Sequence, residues 1–365
     1  MPAQICHILF AEEALKQSLG DRGGEILGRH GNVFRFGAQG PDFFYHNQRT
    51  RPTGLKYGVS AHREGYGRLV AALVREHLRL ASRTPKIGSQ TDLTFGGSAT
   101  EQRRAYILGF VTHPYLDRKT HPFINYFSGW VEPGKPETDR YFRCHVFMER
   151  ILDVLMLRLR RARDVRGFSL PEHLSCGPSL PYGLLKPLLK SLNAAYPRMT
   201  YKSRDRQRIE NAYQDSLSFY SFTDPANPQF RPLAMEHDLR EGGVRRRLAL
   251  FHPYELPPGV DFLNLRGRSW CHPCRQDWVY THSFPELYEQ ALEEAVGAVA
   301  RIAEILDGAG NPDSVETLIG NESLGTGLPW KESPRMQFSD PLPLPEILDR
   351  LYRDYEPSAA AQLPS

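Results

Sequence analysis

GFVTHPYLDRKTHPFINY, residues 109–126, places His113, Asp117 and His121 at successive four-residue steps. Residues four apart on an α-helix stand one above the other on a single face. The spacing therefore aligns an imidazole, a carboxylate and a second imidazole along one side. Three such donors on one short stretch favour a metal over coincidence. Helical apolar spacing covers 101–113, and Pro114, directly after His113, marks a place where the chain can kink, because proline lacks the N–H that an interior turn needs.

Working outward, apolar residues recur at helical spacing over 7–19, 64–80 and 141–160, and further helices are predicted near 182–194, 204–217 and 344–355. No segment shows several strands' worth of alternation, so the fold class is all-α. The clearest element is SFPELYEQALEEAVGAVARIAEILDG, 283–308, with Ser283 as its cap, Pro285 in its first turn and Gly308 as its stop. Proline and glycine mark 37–54 and 129–139 as loops, 222–275 as irregular, and the stretch after Asn311 as a loosely docked arm ending in PSAAAQLPS.

Composition bounds the function. The chain has 365 residues, 40% hydrophobic and 24% charged, which excludes a disordered or collagen-like polymer. Its net charge of +4 supplies little long-range attraction to a polyanion, so nucleic acid is a possible but not a favoured partner. No run of 18 apolar residues exists to span a bilayer. Five cysteines, Cys6, Cys144, Cys176, Cys271 and Cys274, are too few and odd in number for a disulfide framework. The opening MPAQICHILFAEEALKQ lacks the basic start and long apolar core of a secretory signal, which points to the cytoplasm. Nothing in the sequence sets the oligomeric state.

Other donors extend the first three. His145 and Glu149 are four apart on the face of 141–160 that carries Leu152 and Met156, so both point to the core. Buried ionisable groups pair with each other or hold a metal, and this pair alone allows either reading. His7 begins the first helix, Asp42 lies in the loop GPDFFY, and His62 is predicted to open the next helix. Each could also be a cap or a satisfied polar group. His46, beside Tyr45 and Asn47, reads as a neighbour of the site or as exposed. Cys271-His272-Pro273-Cys274 resembles half of a zinc site, with no second pair at the required spacing unless His252 or His282 completes it.

The order His7, Asp42, His62, His113-x3-Asp117, His121 and His145-x3-Glu149, with the stretches GPDFFY, GFVTHPYLDRKTHPFINY and CHVFMERILD, resembles the bacterial zinc-dependent phospholipase C family, whose fold is shared with fungal single-strand nucleases. The likeness is to an intracellular branch of that family. It implies a helical core over 1–165, a helical and irregular half over 166–310 packed on it, and the arm over 311–365. It implies two or three zinc ions: one held by Asp42, His62, His113 and Asp117, a second by His121, His145 and Glu149, and a third by His7, with Asp117 as the bridge. Secreted members complete the third site with an N-terminal tryptophan. Here the amine of Pro2, freed by removal of Met1, would stand in its place. The implied activity is phosphoester hydrolysis by a metal-activated water, with Asp42 as the catalytic general base and a phosphodiester as substrate, phospholipid among the candidates. Alternative readings are a single-strand nuclease or nucleotidase, and a non-catalytic protein braced by zinc.

Overall fold

The structure, a computed structural model, describes residues 4–82, 99–199, 203–242, 245–332 and 334–353. Along the chain these form α1 (Gln4–Leu19), α2 (Asp21–Ala38), a 3-10 turn at Asp42–Phe44, α3 (Leu55–Arg63), α4 (Tyr66–Ala81), α5 (Ala99–Ser128), α6 (Cys144–Arg161) and α7 (Leu170–Leu174). There follow α8 (Tyr182–Ala195), α9 (Asp205–Phe222), α10 (Phe230–Arg240), the strands β1 (Trp270–His272) and β2 (Arg275–Tyr280), α11 (Phe284–Leu306), α12 (Val315–Ile319) and α13 (Leu344–Arg353). The fold is all-α. Its one described sheet is an antiparallel hairpin pairing Trp270 with Tyr280 and Cys271 with Val279, broken by a bulge at Cys271 and His272.

Helix α5 is the axis of the molecule. It runs along α2 and α11, with α1 laid against all three and against α6. Gly37 on α2 meets the Tyr106 carbonyl, and Gly109 on α5 meets the Phe34 carbonyl, so the two backbones touch where any side chain would hold them apart. This packing explains why α2 escapes a sequence reading. Five glycines in DRGGEILGRHGNVFRFGA dilute its apolar stripe, and a kink at His30 breaks its period.

The helix predicted over 101–113 reaches further: α5 runs 30 residues, through both Pro114 and Pro122. Proline at 114 leaves the Phe110 carbonyl without its helical donor. The Tyr66 hydroxyl supplies one instead, donating to the Phe110 oxygen at 2.7 Å, so continuing the helix costs little. His62 likewise does not open a helix but sits in the last turn of α3. Within 222–275, α10 is an element the sequence reading left irregular.

The predicted helix at 283–308 appears as α11, with a capping box: the Ser283 hydroxyl accepts from the Glu286 N–H while the Glu286 carboxylate accepts from the Ser283 N–H. The described part of the arm is not loose. Gly67 N–H donates to the Gly320 carbonyl and Leu342 N–H to the Phe127 carbonyl, each at 2.8 Å, and Leu344 and Leu348 are fully buried. The tail PSAAAQLPS and the predicted end of the last helix beyond 353 lie outside the described residues. No helix among the described residues is long and apolar enough to cross a membrane.

Candidate metal centre

Eight donors from five elements converge between α1, α3, α5 and α6. His7 comes from α1, Asp42 from the 3-10 turn, His62 from α3, His113, Asp117 and His121 from α5, and His145 and Glu149 from α6. Their ligand atoms fall into three groups, each within 4.8 Å: Asp42, His62 and His113; His7, His113 and Asp117; and His121, His145 and Glu149. The third group is the set that the resemblance assigns to one zinc. In the first, His113 stands where the resemblance has both His113 and Asp117.

Asp117 is the hub. Its Oδ1 lies 3.1 Å from His7 Nε2, and its Oδ2 lies 3.1 Å from His113 Nε2, 3.6 Å from His121 Nδ1 and 3.8 Å from His62 Nε2. Asp42 Oδ1 approaches His62 Nε2 at 2.8 Å and His113 Nε2 at 4.0 Å. Glu149 Oε1 is 2.9 Å from His145 Nε2 and 3.5 Å from His121 Nε2. The cluster is buried except at His62 and His145, whose side chains are 14% and 27% exposed, so the centre meets solvent there.

The tautomers are set by backbone carbonyls. His62 Nδ1 lies 2.9 Å from the Gly58 oxygen, His113 Nδ1 3.1 Å from the Ala38 oxygen and His121 Nδ1 3.0 Å from the Leu324 oxygen. A carbonyl only accepts, so each Nδ1 carries a proton, and each ring in its neutral form turns an Nε2 lone pair into the cluster. There those lone pairs meet carboxylates. His62 Nε2, His113 Nε2, both Asp42 oxygens and Asp117 Oδ2 are buried without a hydrogen bond. Acceptors facing acceptors out of water are unfavourable unless a cation lies among them. The donor set, imidazole and carboxylate with no thiolate, fits zinc.

Electrostatics keep the acids ionised. Burial alone would raise the Asp117 carboxyl, but the neighbouring His113 and His121 hold it well below the usual carboxylate range. Glu149 is lowered in the same way, against its burial, by His145 and His121. Burial would lower His121, yet Asp117 and Glu149 push it up to about 8. Burial lowers His145, and Glu149 offsets only part of that.

Sequence reading missed the groups that hold the donors in place. Asp153 accepts from the Cys6 N–H at 2.6 Å and faces His252 Nε2 at 2.8 Å, tying the start of α1 beside His7 to α6 beside Glu149. Buried Arg150 joins Asp153 at 3.8 Å and also bonds the Gln4 side chain. His252 is thus committed to Asp153, and Cys271 and Cys274 appear in none of the metal-capable groups among the described residues. His272 bonds the Thr326 carbonyl instead. His46 is buried against Phe219, its ring 4.1 Å away, and also stands outside those groups. Phe43, Phe44, Phe123 and Phe127 are core residues, and Phe284 lines a small void together with His7 and His121. Pro2, the candidate amine for a third site, lies outside the described residues.

An all-helical fold around a nest of imidazoles and carboxylates able to hold a divalent cation points to a class of zinc-dependent helical proteins. The chain matches the family model described as zinc dependent phospholipase C over residues 6–202, more than half its length, and belongs to that family. No curated protein and no solved structure matches it.

Proposed function

We propose that this chain is a zinc-dependent phosphoester hydrolase of the phospholipase C type, with His7, Asp42, His62, His113, Asp117, His121, His145 and Glu149 as its metal ligands and two or three zinc ions as its cofactor. The observation that carries this reading is the convergence of three groups of imidazole and carboxylate donors in which His62 Nε2, His113 Nε2, both Asp42 oxygens and Asp117 Oδ2 are buried without a hydrogen bond. When bound, zinc supplies Lewis acidity toward a phosphoryl oxygen and lowers the pKa of water.

The chain's own groups do the rest. Asp117 lies within 4 Å of four histidines, so it is the carboxylate able to bridge two sites. Asp42, with neither oxygen hydrogen-bonded and His62 at 2.8 Å, can take a proton from a reacting water. The partly exposed side chains of His62 and His145 are where the centre meets solvent. Five free thiols agree with a cytoplasmic setting.

Zinc per chain and hydrolysis of bis(p-nitrophenyl) phosphate, measured on wild type and Asp117→Asn, test the reading. The expected result is two or three zinc ions with turnover in wild type, and loss of at least one ion with a fall of about 100-fold or more in the variant. Less than one zinc per chain, or full zinc with no turnover, would overturn it.

A further inference from the structure

A buried arginine with no acid paired to it stands near the start of α5. Arg103 is 7% exposed and forms no ion pair among the described residues. Its Nη2 donates to the Thr100 hydroxyl at 2.9 Å, and its buried Nε has no partner. Burial disfavours its charge and Glu76 opposes this, yet Glu76 is itself held by Arg79 at 2.6 Å and Lys190 at 3.0 Å. A guanidinium out of water without a counter-charge is costly, so a cation kept in that state suits an anion that arrives from outside.

The Thr100 contact turns the guanidinium back toward the first turn of α5, where Ala99 meets the start of α8. A Cβ on Gly183 would lie 2.9 Å from that of Ala99, so the two helix starts touch. α8 opens with no side-chain cap: the Leu184 and Leu185 N–H groups share the Pro181 carbonyl, while those of Tyr182 and Gly183 have no acceptor among the described residues. Free N–H groups at the positive end of a 14-residue helix attract anions.

Arg103, Tyr182 and Gly183 line one open cavity of about 1110 Å³ between α2, α5, α8 and the loop after α7. Lys186, one turn into α8, and Arg29 on α2 add positive charge to its wall, against the carboxylate of Glu172. Arg35 lines it too but is neutralised by Glu12 at 2.6 Å. The cavity is far larger than an inorganic ion and is of the size that takes a small organic ligand. Leu27 and Val33 give it apolar wall, and the ring of Tyr182 is 71% exposed. We propose that Arg103 and the start of α8 form a second ligand site, which binds the phosphoryl group of a phosphorylated small molecule. Ten residues of α5 separate Arg103 from His113, about 15 Å along the helix, so the site is distinct from the metal centre. Binding there is independent of the hydrolase reading above.

Calorimetric titration of the zinc-loaded chain with adenosine monophosphate, adenosine and inorganic phosphate tests this, repeated in Arg103→Met and Asp117→Asn. A charge-assisted hydrogen bond is worth roughly tenfold or more in affinity. The nucleotide is expected to bind at least about tenfold more tightly than adenosine, in wild type and in Asp117→Asn alike, and Arg103→Met should lose that difference. Inorganic phosphate binding more weakly than the nucleotide would assign the site to organic phosphates, and equal affinity would assign it to free phosphate; either supports a phosphoryl site. Arg103→Met keeps the buried stem and removes an uncompensated charge, so without ligand its urea midpoint should equal or exceed that of wild type. If that variant does not fold, Lys186→Glu, at an exposed position, should weaken the nucleotide about threefold or more and leave adenosine unchanged. Nucleotide binding that survives Arg103→Met, adenosine binding as tightly as the nucleotide, or no binding of either phosphate would overturn the inference. Binding kept in Arg103→Met and lost in Asp117→Asn would place the phosphate on the metal centre and overturn it too.

Discussion

Gly40 has no side chain at the place where the imidazole of His113 crosses its backbone. A Cβ there would overlap the ring, and the residue holds φ near +54°, a conformation that costs an L side chain about 1–2 kcal/mol. Gly40 N–H also closes the end of α2 by donating to the Gly37 carbonyl at 2.8 Å. The turn that delivers Asp42 and the ring of His113 thus fit together only around glycine.

Gly40→Ala is expected to push His113 off the Ala38 carbonyl, freeing its tautomer. Loss of such an orienting partner lowers metal affinity by about 10–100-fold. Competition for zinc against a chromophoric chelator measures this. Unaltered affinity would show that the His113 ring can move aside without disturbing the cluster.

A second glycine tests the scaffold and not the donors. Gly109→Ala places a methyl against the Phe34 carbonyl and the Ala38 nitrogen at the crossing of α2 and α5. Backbone has no rotamer to yield, so the helices must separate. The expected cost is about 1–3 kcal/mol, read as a lower urea midpoint at unchanged m-value. A midpoint equal to wild type would mean that the crossing is not tightly packed.

The parts legible in the sequence were those written in local spacing. His113, Asp117 and His121 are four apart on one helix, His145 and Glu149 on another, and the Ser283 cap and its helix follow from neighbouring residues. The parts that escaped are set by partners far along the chain. Tyr66 allows α5 to pass Pro114, the Phe34 and Tyr106 carbonyls give the α2 and α5 glycines their reason, and Leu324 fixes the tautomer of His121. None of these carries a local signal, since a carbonyl acceptor or a close backbone approach can be supplied by any residue type.

Acid stability should turn on a histidine outside the cluster. His77 on α4 is almost fully buried, and its Nδ1 has no hydrogen-bond partner. Burial, helped by the cations of Arg103 and Arg104 and only partly opposed by Asp307, lowers the ring from the ordinary range to about 4. In the unfolded chain it titrates near 6.5. Above that pH both states hold the ring neutral and the group contributes no pH dependence. Below it the unfolded chain binds a proton that the folded chain refuses, so stability falls as pH drops from about 6.5 to about 4, then levels off. The full window corresponds to about 3 kcal/mol at about 1.4 kcal/mol per pH unit. Urea midpoints of wild type and His77→Gln at intervals from pH 8 to pH 4 isolate this part from the titration of the metal donors, which both chains share. The variant is expected to start less stable at pH 8 and to lose less on acidification. Parallel curves would show that His77 accepts its proton in the folded chain as readily as in the unfolded one.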